Sequence, residues 1–176
     1  MPDPLPDAPR PRAFYTRTYR LLARDTNING ETLLATDYLN HFNEVVMLIE
    51  LLPGAPEFMV DVAAWRPKSY ADHFRNGGFV HKALAIAAYH HSPAVYCEAF
   101  DAVVATLDDM LLAGIVALND ATATHAAEAV DHTAADLIAT ARGYIDQASA
   151  IINGHGAKTR QEGSRRRRVA SALGAS

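Results

Sequence analysis

Apolar residues return at steps of three and four along three long stretches of this chain, and a sustained alternation at steps of two occurs nowhere. That periodicity admits helices and leaves no convincing strand. The first stretch, residues 31–52, reads ETLLATDYLNHFNEVVMLIELL without a proline or glycine. On a helical wheel Leu34, Tyr38, Phe42, Val45, Ile49 and Leu52 share one stripe, flanked by Val46 and Leu48, while Thr36, Asn40, Asn43 and Glu50 lie opposite. Over residues 93–118 the stripe is Tyr96, Phe100, Val103, Leu107, Leu111, Ile115 and Leu118. Asn119-Asp120 reads as a break. Over residues 121–153 the stripe runs Ala127, Val130, Ala134, Leu137, Ala141, Tyr144, Ala148 and Ile151, a small-residue seam that lets helices approach closely. Asn153-Gly154 should end it.

Shorter helices are expected between these. Tyr15, Tyr19 and Leu22 form a narrow apolar face, and Phe58, Val62 and Trp65 another, in a segment started by Pro56 and stopped by Pro67. Ser69-x-x-Asp72 resembles a capping box, and an Ala-rich helix over residues 79–91 should stop at His91-Ser92-Pro93. The fold class is therefore all-α: an antiparallel helical bundle of three long and several short helices, with disordered termini.

With 176 residues, 49% of them apolar, the chain suits one domain with a real core. Residues 1–12 hold five prolines and read as a disordered arm, residues 13–153 as the bundle, and residues 154–176 as a disordered basic tail. The tail carries six basic residues against Glu162, a net +5, which leaves −9 on residues 1–153 of a chain whose overall charge is −4. An acidic body is a poor surface for nucleic acid, so an anionic partner would have to be met by Arg165, Arg166, Arg167 and Arg168. One cysteine, Cys97, excludes an intramolecular disulfide. The N-terminal residues lack the apolar core of a signal peptide, and no apolar run approaches the ~20 residues of a membrane helix, so the expectation is a soluble cytoplasmic protein without membrane insertion.

The polar residues that stand out are Asp37, His41 and Glu44. His41 falls inside the apolar arc of its helix, with Asp37 at i−4 and Glu44 at i+3 on the rim. A buried imidazole needs partners, and Asp37 could accept a hydrogen bond and raise its pKa. A structural, satisfied core histidine is the plainer reading. Leu39-Asn-His-Phe-Asn-Glu-Val45 resembles the His-bearing helix of histidine kinases over those seven residues, which implies a phosphoacceptor role for His41.

His-x-x-Glu occurs twice, as His41/Glu44 and His125/Glu128, but carboxylate-bridged metal bundles use the reverse order, Glu-x-x-His. The last helix also turns His125, Glu128, His132 and Asp136 outward. Asp25-Thr-Asn-Ile-Asn-Gly30 has the spacing of the first half of a calcium loop, yet position 12 is Thr36 instead of Glu, so a tight interhelical turn is expected there. Nucleophilic catalysis finds little support, with no Gly-x-Ser-x-Gly elbow and no phosphate-binding glycine loop. The functional expectation is a protein that acts by binding, regulatory or adaptor-like, toward another protein or a second copy of itself. The alternative is a metal-binding bundle or metalloenzyme using Asp37, His41 and Glu44, with a metal ion as the one cofactor considered.

Overall fold

The computed structural model describes residues 12–124 and 127–155, with side chains from Thr16 onward. The two tails expected to be disordered, apart from Arg12 at one end and Gly154 and His155 at the other, lie outside the described residues. Within them the protein is all-α: α1 (Arg12–Leu22), a 3-10 turn (Thr36–Leu39) leading into α2 (Asn40–Leu51), a second 3-10 turn (Pro56–Phe58) leading into α3 (Met59–Ala64), α4 (Tyr70–Asn76), α5 (Lys82–His90), α6 (Ala94–Ala123) and α7 (Ala127–Ile152).

Of the three long helices expected, α6 outruns its expected end, α7 begins six residues later than expected, and the first is much shortened. The helix expected to begin at Glu31 begins only at the 3-10 turn, because Leu33 adopts a left-handed backbone with φ 61°, which no α-helix accommodates. The turn before it explains why. Asn29 Oδ1 accepts from the backbone N–H groups of Glu31 and Thr32, at 2.8 and 3.0 Å, and an isolated bridge pairs Ile28 with Ala35. Leu33 and Leu34 are both driven fully into the core.

The opposite error occurs at Asn119-Asp120, where α6 continues to Ala123. Both residues are exposed, so their weak helix propensity costs a few tenths of a kcal/mol and no packing. Ser69 caps α4 as expected, its Oγ accepting from Asp72 N at 3.1 Å. The end of α7 is a left-handed glycine cap: Gly154 has φ 81°, its N–H reaches Ile151 O at 3.0 Å, and His155 N–H reaches Ala150 O at 2.7 Å.

The two long helices, α6 and α7, pack antiparallel over the most extensive interface among the described residues. Its seam is close enough that a methyl group on Gly114 would overlap the side chain of Leu137. Every residue of the expected α6 stripe is buried; on α7 Ile145 replaces Tyr144, which stays half-buried, and Ala127 is exposed. α2 runs antiparallel to α7: Thr32, ahead of α2, donates to Ile152 O at 2.6 Å, and Glu50 near its end pairs with Arg142. Ser92 Oγ in turn donates to Thr32 O at 2.7 Å, so one buried threonine ties the interhelical turn, the start of α6 and the end of α7.

Candidate functional site

His41 lies where the wheel puts it, in the first turn of α2 and 1% exposed. Its surroundings differ from expectation. Neither ring nitrogen has a hydrogen-bond partner, and Asp37, half-buried in the 3-10 turn, does not supply one. The ring is instead stacked on Trp65, with centroids 4.9 Å apart and planes 21° from parallel, and Trp65 Nε1 donates to His41 O at 3.2 Å. Burial pushes the imidazole pKa down to about 4, with Lys68 and His73 acting in the same direction and the Arg66 backbone against it. The expected rise through Asp37 is thus reversed. A ring this deeply enclosed is also inaccessible to a phosphoryl donor, which removes the implied phosphoacceptor role.

The structure adds a second imidazole that local spacing cannot reveal. His73, from α4, lies 6.2 Å from His41 between ring centroids, and its Nε2 is buried without a partner. Desolvation lowers its pKa, opposed by the backbone of Asp37 and by the charges of Glu44 and Asp37. The acids singled out beside His41 therefore act on His73, while Glu44 itself is exposed. Among the described residues no group of three or more His, Cys, Asp or Glu is placed to hold a metal ion. On α7, His132 and Asp136 form an exposed pair at 3.4 Å, and Glu128 is exposed; the side chain of His125 lies outside the described residues.

Across Tyr38 from this cluster lies a solvent-open pocket, a shallow cavity of about 260 Å³ between α4, α5 and α6. Tyr38, Tyr70, Tyr89 and Phe100 supply its aromatic wall, and Asp101, Asp108 and Lys68 its charged groups. Each phenol is locked: Tyr38 donates to Lys68 O at 2.8 Å, Tyr70 accepts from Ala35 N at 2.9 Å, and Tyr89 donates to Asp101 Oδ1 at 2.7 Å. Tyr70 and Tyr89 also stack, 4.5 Å apart at 15°. Burial raises all three phenol pKa values, with Asp108 and Asp101 adding to the effect at Tyr38. Cys97 Sγ donates to the second oxygen of Asp101 at 3.5 Å.

Asp108 is the exception. Its Oδ1 is buried and accepts nothing, and desolvation, reinforced by Asp109, raises its pKa to about 6. The sequence places Asp101 and Asp108 seven residues apart, hence on one helix face. Nothing local shows that this face closes against tyrosines from α4, α5 and the 3-10 turn.

No family model matches the chain. No curated protein and no solved structure is significantly similar to it either, so the geometry carries the functional reading.

Proposed function

We propose that the protein acts by binding, in a regulatory or adaptor-like role, and that the cavity between α4, α5 and α6 is where it takes up a small ligand. The observation that carries this reading is the pocket wall: tyrosine rings already fixed by hydrogen bonds line it together with Asp108, whose Oδ1 has no partner. A wall fixed in advance loses little side-chain entropy on binding, and apolar surface with a few placed polar atoms is the usual composition of a ligand site. Heteronuclear NMR with a set of small fragments tests it. Amide signals of Ser69, Val104 and Ala105 should move; fragments that move only signals remote from the cavity, or none, would end the reading.

The metal-binding alternative is favoured by one observation, the unpaired nitrogens of His41 and His73. Two imidazoles fall short of the three protein ligands that an open zinc site uses. Zinc titration followed by calorimetry decides it: stoichiometric uptake that His41→Phe abolishes would install this reading in place of the first.

A further inference from the structure

We infer that the cavity binds a small protonated amine, its ammonium group on Asp108 and its carbon body against the aromatic wall. The inference rests on the reading of the cavity as a binding site and adds the class of ligand.

The buried Oδ1 of Asp108 is an acceptor and needs a donor. None of the three tyrosine hydroxyls serves it: those of Tyr38 and Tyr89 donate to Lys68 O and Asp101, and that of Tyr70, which accepts from Ala35 N, makes no bond to Asp108 Oδ1. Lys68, which also lines the pocket, does not serve it either: it makes no hydrogen bond to that oxygen, and its charge opposes protonation of His41 and His73. The Oδ1 of half-buried Asp108 is thus left without a donor, which costs free energy until a positive donor arrives.

The field selects the sign of the ligand. Asp101 and Asp108 both make it harder for Tyr38 to ionise, so the potential at Tyr38 is negative, and two carboxylates against one lysine in the lining favour a cation over an anion. Aromatic faces add attraction for a cation and a surface for hydrocarbon. The volume of about 260 Å³ lies just under the usual range for drug-sized ligands, so the amine is small. An N–H donor is required as well as charge, which favours a primary ammonium over a quaternary one.

The test compares benzylamine with benzyl alcohol, two probes of nearly the same shape of which only the first is cationic. Wild-type protein at pH 7.5 should bind benzylamine about tenfold or more tightly than the alcohol, with shifts at Ser69, Val104 and Ala105. In Asp108→Asn the preference should vanish while alcohol binding is retained. Equal binding of the two probes by the wild type, or a preference that survives Asp108→Asn, would overturn the inference and leave the cavity as a binding site. Absence of cavity shifts with both probes would overturn the inference and the underlying reading together. The wild-type comparison is decisive even where the variant folds poorly.

Discussion

His41 shows what enclosure does to a titratable residue that finds no partner. Its pKa is about 4 in the fold and returns to 6.5 in the unfolded chain, so between those values the unfolded chain binds a proton that the fold refuses. Stability is then fully present above pH 6.5 and declines as the pH falls toward 4, by about 3 kcal/mol in total at ~1.4 kcal/mol per unit. The lowered pKa of His73 acts in the same direction. His41→Phe keeps the stack on Trp65 and removes two orphaned nitrogens, so it should be neutral or stabilising at pH 7 and should flatten the acid decline. His41→Ala should lose about 2–4 kcal/mol through the emptied volume. Urea unfolding of both variants between pH 4 and 7 checks this, and a steep acid decline retained in His41→Phe would count against the assignment.

At the scale of elements, two contacts decide how the helices meet. Thr32, completely buried, links the interhelical turn to the end of α7 through Ile152 O and receives Ser92 at its own carbonyl. Thr32→Val keeps the shape and leaves Ile152 O without its donor, which should cost about 1–3 kcal/mol. Chemical denaturation measures that, and a loss below 0.5 kcal/mol on that order-of-magnitude scale would mean the tie is incidental. Gly114 gives a second case. Alanine there gains about 1 kcal/mol of helix propensity, but its methyl overlaps Leu137, and overpacking of this kind costs about 1–3 kcal/mol. Gly114→Ala should therefore be destabilising on balance, and Leu137→Ala in the same chain should turn its effect favourable. A double-mutant cycle reads the coupling directly.

For the whole molecule, acid acts in two opposing ways. Asp108, with its pKa raised to about 6 by burial, is happier protonated in the fold, so its contribution to stability improves as the pH falls from above 6 toward 4. Allowing for solvent screening of a half-buried group, this amounts to about 1–2 kcal/mol. Asp108→Asn should raise the melting temperature at pH 7.5 and lose that advantage near pH 4, the reverse of the pattern for His41. Affinity for an amine has its own sign: it requires the ionised carboxylate, so it should weaken as the pH drops through about 6. Calorimetric titration at pH 7.5, 6 and 5 tests it, and affinity that does not change across that range would sink the pairing.

The helical class, the α6 stripe, the cap on α4 and the stop at Gly154 were legible in the residues, because each depends on spacing or on a local backbone preference. The burial of His41 was legible for the same reason. The start of α2 was not: the periodicity of Leu34 and Tyr38 is helical, whereas the Asn29 turn, the docking of Thr32 against α7 and the burial of Leu33 accompany a backbone of another shape. Tertiary structure alone brought His73 to His41, set the charges of Asp37 and Glu44 on His73 where the local rule put them on His41, and placed Asp108 in one pocket lining with three tyrosines. Spacing along one helix determines which residues share a face. Desolvation and hydrogen-bond partnership depend on what the other helices bring to that face, and those two quantities decide which groups are left available for chemistry.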